Sequence, residues 1–283
     1  MQRILSTYLF VRRKLGPPII EAAAGAGFAA IELFCARGHF DYQSVADARA
    51  LGSWLDAHGL SLHAVHAPTQ RDQGPSRESG SPISISDPER VRRLEAVDEI
   101  KRALDLAECV PFRFLVQHVA GSREPDEPHR WVAAFNSIEH LALFAKQRGV
   151  TIALENTPGE MPTPANLRRF LDQTRLTDVR FCFDAGHAHM GGGIGVALES
   201  MRDRIVTAHI HDNHGEKDEH LPPFDGTVDW PATLAALPPD TPLTLELRAP
   251  ELPFGTDPPE PAALLETARA ALDRLEQVQP ARA

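Results

Sequence analysis

Acidic and histidine side chains end a series of short apolar segments along this 283-residue chain. In chain order, these residues are Glu32, His66, His118, Glu155, Asp184, His211 and Glu246. Carboxylate oxygens and imidazole nitrogens are the atoms with which proteins bind divalent metal ions. Carboxylates brought together without a cation would repel one another. The pattern therefore predicts a metal site whose ligands come from several segments.

The segments that carry these residues alternate with helical segments. We predict strands at residues 4–10, 29–34, 61–66, 114–118, 151–155, 179–184, 205–211 and 243–247. Apolar positions three and four apart predict helices, most clearly over residues 87–108, 131–147 and 262–277. About eight βα units favour an α/β fold, a single (β/α)8 TIM barrel over residues 1–283. Barrel strands converge on one face at their carboxyl ends, which would bring the acidic and histidine residues together.

Two loops are expected on that same face, at residues 68–88 and 211–229. The first is rich in Gly, Ser, Pro and Arg and is too long for an ordinary βα connection. We therefore expect it to act as a lid over the site. Within it, residues 71–77 are the best candidates for contact with a phosphate.

Strand periodicity predicts where individual side chains point, because residues two apart share one face. His209 and His211 are therefore expected to point the same way. His63 and His66 are three apart, so a strand that directs His66 to the barrel mouth would direct His63 outward, in a structural role.

For Glu32, near the end of the second predicted strand, two interpretations stay open. It either hydrogen-bonds to the substrate or to a ligand residue, or forms a buried pair with Arg or Lys.

Composition restricts the partners and the location of the protein. The net charge of −10 and the pI of about 5.7 provide no general basic surface for nucleic acid or anionic membranes. The three cysteines show no CxxC pairing, which is typical of free thiols in a reducing cytoplasm. No apolar run approaches the ~20 residues of a membrane helix. We expect a cytoplasmic protein without nucleic-acid or membrane partners, and a homodimer is the commonest closed assembly.

Five ordered segments resemble a known superfamily. They are LENTPG at residues 154–159, FDAGH at 183–187, HIHDN at 209–213, DEHLP at 218–222 and Leu245-Glu246. Together they resemble the xylose-isomerase-like TIM-barrel superfamily over nearly the whole chain. That superfamily includes sugar and sugar phosphate isomerases and epimerases, inosose dehydratases, and the endonuclease IV family of apurinic-site nucleases.

The isomerase and epimerase branch implies the leading function. Its metal positions fall on Glu155, Asp184, His211 and Glu246, which would bind one divalent ion, namely Mn, Co, Mg or Zn. The resemblance also implies that Glu155 and Glu246 move a proton on opposite faces of a sugar, sugar phosphate or polyol, by enediolate-type chemistry. His187 matches a substrate-contacting histidine of that branch. We assign His66, His118, His220 and Arg248 to substrate binding as well, and a small-molecule carbohydrate is the expected partner.

Three alternatives stay open beside the isomerase. A metal-dependent sugar lyase or dehydratase would use the same enolisation when a leaving group is present. An endonuclease IV-like phosphodiesterase would hold several zinc ions. The resemblance implies as its ligands His66, His118, Glu155, Asp184, His187, either His209 or His211, Asp218, His220 and Glu246. No cluster of Arg and aromatic residues clearly suits a DNA groove, which argues against that function. The third alternative is a non-catalytic sugar-binding barrel. Such a protein would be expected to have lost metal ligands, and no ligand position is lost in this sequence.

Overall fold

The computed structural model describes residues 2–70, 82–251 and 259–278. Eight parallel strands form a closed barrel in chain order, and the first strand pairs with the last. The strands are β1 (Arg3–Ser6), β2 (Ala30–Phe34), β3 (Ser61–His66), β4 (Phe114–His118), β5 (Thr151–Glu155), β6 (Arg180–Asp184), β7 (Ile205–Ile210) and β8 (Leu243–Leu245). The predicted (β/α)8 TIM barrel is confirmed.

Helices connect successive strands around the outside of the barrel. They are α1 (Pro17–Gly25), α2 (Val45–His58), α3 (Arg90–Leu104), α4 (Pro128–Lys146), α5 (Pro164–Gln173), α6 (Ala185–Met190), α7 (Ile194–Met201), α8 (Trp230–Ala236) and α9 (Pro261–Val278). Three short 3-10 helices cover Thr7–Phe10, Asp105–Glu108 and Arg202–Arg204. Local sequence sets several of these boundaries. Thr163 begins α5 by accepting a hydrogen bond from the Asn166 amide, and Gly59 ends α2 with a φ of 67°.

The first strand is shorter than the sequence predicts. It ends at Ser6, and the 3-10 helix over Thr7–Phe10 follows directly. The Ser6 hydroxyl accepts a hydrogen bond from the Tyr8 amide at 3.4 Å, which caps that helix and turns the chain out of the sheet. The apolar residues beyond Ser6 are therefore buried in a helical turn and not in the barrel wall.

A bulge in β3 reverses the predicted direction of His63. The register between β2 and β3 shifts, since Ile31 pairs with Leu62 but Glu32 pairs with Ala64. His63 is thus an extra residue, and an extra residue interrupts the alternation of side chains. Its Nε2 lies 3.2 Å from Thr207 Oγ1 on β7, and the ring is buried. The prediction that His63 points outward is wrong, because the strand is not regular.

The barrel interior contains a small apolar cluster as well as buried polar side chains. Ala64, Phe114, Val116, Ala153 and Cys182 form one buried apolar cluster. Cys182 thus fills the interior, as predicted from its position on the Asp184 face. A larger apolar core packs the helices against the outside of the strands. Within the described ranges, no helix is long and apolar enough to cross a membrane.

Candidate metal centre

Three carboxylates and one imidazole meet at the carboxyl ends of four consecutive strands. Glu155, Asp184, His209 and Glu246 each offer one ligand atom, and these atoms lie within 4.8 Å of one another. Nδ1 of His209 lies 3.4 Å from Glu155 Oε1, 3.7 Å from Asp184 Oδ2 and 3.6 Å from Glu246 Oε2. All four side chains are buried. We call this group the carboxylate cluster.

Three of the four residues expected to bind the metal, Glu155, Asp184 and Glu246, belong to the carboxylate cluster. The fourth member of the cluster is His209, whereas His211 was predicted from the sequence to bind the metal. Both histidines point into the barrel, as their spacing predicts. The register pairs Asp184 with His209, so that His209 is level with the carboxylates. His211 lies one pleat further along, and its Nε2 is 3.1 Å from Asp184 Oδ2. Sequence reasoning did not separate the two, because spacing gives the face of a side chain but not its depth.

A second group joins β3, β4 and β5 through Glu155. Nε2 of His66 and Nε2 of His118 lie 3.2 and 3.0 Å from Glu155 Oε2. The Nδ1 of His66 donates to the Ala67 carbonyl oxygen at 2.9 Å. In a neutral His66 ring, Nε2 would therefore direct a lone pair at the carboxylate. Either a proton or a metal cation must lie between them. The three residues form the β3–β5 cluster.

The third group consists of His187, His211, Asp218 and His220, which we call the β7-loop cluster. Nε2 of His220 lies 3.1 Å from Asp218 Oδ2, and its ring stacks on that of His211 with centroids 4.0 Å apart. His187 Nε2 lies 3.5 Å from Asp218 Oδ1. Asp218 was expected only in a nuclease site, from the DEHLP segment. The structure brings this acid to the same mouth.

The pKa values of the acids and histidines in the site depend strongly on the charges of their neighbours. Burial alone would raise the pKa of Glu155, but His209 and then His118 hold it well below its usual range. Burial raises the pKa of Glu246, and the neighbouring Glu155 adds to that effect. Burial would lower the pKa of His187, but Asp184 and nearby acids raise it well above its usual range. The site thus sets buried carboxylates against buried imidazole rings, so that a change of charge at one group shifts the pKa of its neighbours.

The residues fit a divalent cation. Glu155 Oε1, His209 Nδ1 and His211 Nδ1 are buried and have no hydrogen-bond partner among the residues that the structure describes. Leaving such atoms without partners in the interior is costly. Mixed nitrogen and oxygen donors suit Zn, Co or Mn, and carboxylate oxygens also suit Mg. A cation would satisfy the unpartnered atoms and relieve the repulsion among the carboxylates.

The three clusters surround one cavity of about 280 Å³. Its lining includes His66, His118, Glu155, His187, Asp218, His220 and Glu246, together with Phe34, Thr69 and Thr157. This volume lies at the small end of protein ligand pockets, which run from roughly 300 Å³ upwards. The space is therefore suited to a small polar ligand that reaches all three clusters.

The remaining predicted elements lie around this mouth. Arg248 lines a wider groove beside the cavity, and its Nη2 lies 3.8 Å from Asp218 Oδ2. The loop at residues 211–229 is held by the buried carboxylate of Asp212. Glu32 pairs with His209, not with the Arg or Lys that one interpretation expected. The phosphate contact predicted for residues 71–77, and most of the predicted lid, lie outside the described residues.

The barrel and its ring of acids and histidines match a known family. The family model described as xylose isomerase-like TIM barrel covers residues 20–275. The chain belongs to this family. Among curated proteins, y4fM from Sinorhizobium fredii is 30% identical over 201 residues, which is 63% of this chain and 63% of y4fM. The chain thus matches less than two thirds of the length of that relative.

Solved structures share the architecture over the whole barrel. A D-tagatose 3-epimerase-like protein is 20% identical, with a TM-score of 0.75 over 98% of this chain and 99% of that one. The IOLI protein, solved with a zinc atom, is 17% identical, with a TM-score of 0.80 over the full length of both chains. At these identities, the likeness shows the common fold.

Proposed function

We propose that this protein is a divalent-metal-dependent isomerase or epimerase that acts on a sugar, sugar phosphate or related polyol. The observation that carries the proposal is the carboxylate cluster. Glu155 and Glu246 come from strands β5 and β8, and their carboxylates lie 3.4 and 3.6 Å from the same ring nitrogen of His209. Two buried carboxylates that come from different strands and line one small cavity suit the removal and return of a proton.

Glu155, Asp184, His209 and Glu246 would hold the cation. When bound, a divalent cation supplies a Lewis acid that polarises a substrate oxygen and acidifies the adjacent C–H bond. Glu155 and Glu246 would then accept and donate the proton, one on each face of the sugar. His187 and the other cavity histidines offer ring nitrogens to substrate hydroxyls. The small cavity would hold the ligand against these side chains.

The resemblance in fold supports this proposal. The similar structures include a D-tagatose 3-epimerase-like protein and the zinc-containing IOLI protein. The His and carboxylate ligands of the cluster are of the type that binds zinc.

Phosphodiester hydrolysis at a multinuclear site is the second candidate, and a specific observation favours it. The β3–β5 cluster and the β7-loop cluster offer two further sets of ligand atoms around the same cavity. Glu155 belongs to two of the three sets and would bridge neighbouring ions. Several ions close together can stabilise both the attacking and the leaving oxygen of a phosphodiester.

Metal stoichiometry and two assays separate these candidates. Protein purified without chelators would be analysed by elemental mass spectrometry, and about one ion per chain is expected for the isomerase. The same preparation would be tested for exchange of carbon-bound hydrogen with D₂O in a panel of ketoses and ketose phosphates, using NMR. Hydrolysis of bis(p-nitrophenyl) phosphate would be measured in parallel. About three zinc ions with phosphodiester hydrolysis and no C–H exchange would overturn the isomerase proposal.

A further inference from the structure

Glu32 lies inside the barrel on β2 and reaches the carboxylate cluster only through a histidine. It is fully buried, and its Oε2 lies 3.0 Å from His209 Nε2. Its Oε1 has no hydrogen-bond partner, and no lysine or arginine forms an ion pair with it, within residues 2–70, 82–251 and 259–278. A buried carboxylate that stabilised the fold as an ion pair would be expected to have such a cation. The one polar contact of Glu32 is instead the ring of His209.

That contact determines which nitrogen of His209 carries a hydrogen. An ionised carboxylate can only accept hydrogen bonds, so Nε2 of His209 must be the donor. In a neutral imidazole, Nδ1 then carries the lone pair. This Nδ1 has no hydrogen-bond partner in the described part of the chain, and oxygens of Glu155, Asp184 and Glu246 lie within 3.7 Å of it. A lone pair aimed at three carboxylates is unfavourable, so either a proton or a metal cation must lie between them.

Three other histidines of the site are held differently. Nδ1 of His66, His187 and His220 lies 2.9 to 3.0 Å from the carbonyl oxygens of Ala67, Asn156 and Glu246, respectively. Those hydrogen bonds leave Nε2 as the nitrogen that faces the cavity. His209 is held at the opposite nitrogen, and by a charged side chain where the others use a carbonyl. The contact with Glu32 thus leaves Nδ1 of His209 as the nitrogen that faces the carboxylate cluster.

We propose that Glu32 is a positioning residue that fixes the tautomer and orientation of His209, so that Nδ1 faces the carboxylate cluster as a metal ligand. The inference rests on the proposed metal site. A carboxylate that accepts the other N–H of a ligating histidine holds the ring in place and makes it a stronger ligand. Loss of the charge on Glu32 should therefore weaken metal binding without any change in the residues that touch the metal.

The test uses Co²⁺ and four forms of the full chain: wild type, Glu32→Gln, Glu32→Asp and Glu99→Gln. Glu99 on α3 is the control, because its buried carboxylate accepts hydrogen bonds from Tyr42, Gln43 and Arg102 and lies outside the three clusters. Affinity would be measured by competition with a chromophoric chelator, and geometry from the visible spectrum of bound Co²⁺. Glu32→Gln should lose about 10- to 100-fold in affinity and alter the spectrum. Glu32→Asp, which keeps the charge, should recover part of the affinity, and Glu99→Gln should match wild type.

The outcomes separate this inference from the proposed function. If wild type binds Co²⁺ and Glu32→Gln binds it equally well with the same spectrum, the positioning role is wrong and the proposed function stands. If wild type binds no divalent ion, both fail. If Glu32→Gln does not fold, ¹⁵N NMR of histidine-labelled, Zn²⁺-loaded wild type decides, with the His209 signal assigned from His209→Gln. The Nε2–H form is expected, and an Nδ1–H form would overturn the inference.

Discussion

Gly186 leaves the space that the ring of His211 occupies. A Cβ atom built on Gly186 would lie 2.1 Å from Cε1 and 2.4 Å from Nδ1 of His211. The Asn213 side-chain amide donates to the Gly186 carbonyl oxygen at 2.9 Å, which holds the start of α6 against the loop after β7. The residue is glycine because of this close approach, and the ring keeps its place in the β7-loop cluster as a result.

Substitution of Gly186 by alanine should displace His211. The added methyl group would force the ring out of its position, at a cost of about 1–3 kcal/mol in the free energy of unfolding. Under the phosphodiesterase candidate, metal held at the β7-loop cluster should fall as well. Urea denaturation and elemental analysis would measure both effects. Gly195→Ala is the control, because a Cβ there meets no atom within 4 Å, so that its stability should be unchanged or higher.

Replacement of Glu246 by glutamine should remove one of the two proton-transfer groups. The amide cannot accept or donate the proton, and exchange of substrate C–H with D₂O should fall by at least about 100-fold. NMR would follow the exchange, with metal content measured on the same sample. The exposed Glu199 on α7 provides the control, and Glu199→Gln should retain wild-type exchange. Exchange that survives in Glu246→Gln with metal still bound would show that the acid–base assignment is wrong.

The loop at residues 211–229 should depend on the charge of Asp212. Its buried carboxylate accepts hydrogen bonds from the Phe224 and Val228 amides and from Trp230 Nε1, at 2.8 to 3.1 Å. In Asp212→Asn, an NH₂ group would face N–H donors, which should lower the free energy of unfolding by about 2–3 kcal/mol. Urea denaturation would measure the loss. Asp229→Asn should change stability by less than ~0.5 kcal/mol, because asparagine caps α8 as well as aspartate does.

Acid should destabilise the fold partly through His39, which lies away from the metal centre. Burial lowers the pKa of His39 from 6.5 to about 4, although its Nδ1 bonds to the Arg13 carbonyl oxygen. Between those values the unfolded chain binds the extra proton and the folded chain does not. Stability therefore falls as the pH drops from 6.5 towards 4, by about 2 kcal/mol at pH 5.

A variant isolates this contribution from the other groups that titrate in the same range. Urea denaturation of wild type and His39→Gln would be compared at pH 8 and pH 5. The loss on acidification should be about 2 kcal/mol smaller in the variant, even if the variant is less stable at both values. Equal losses in the two proteins would contradict the shifted pKa of His39.

The barrel and most of its site could be predicted from the sequence, because both depend on local patterns. Apolar segments separated by helical periodicity determine a parallel α/β fold, and strands of such a barrel end on one face. Residues at those ends, such as Glu155, Asp184 and Glu246, must then lie near one another. The xylose-isomerase-like segments added the family to this pattern.

The depth and direction of individual side chains were decided only by the tertiary structure. The bulge in β3 turns His63 inward, and the register of β6 against β7 places His209 beside Asp184 with His211 one pleat away. Bulges and register depend on how whole strands fit around a closed barrel, and no local pattern records them. The sequence determined which residues reach the mouth of the barrel, and the closure of the barrel decided which of them face one another.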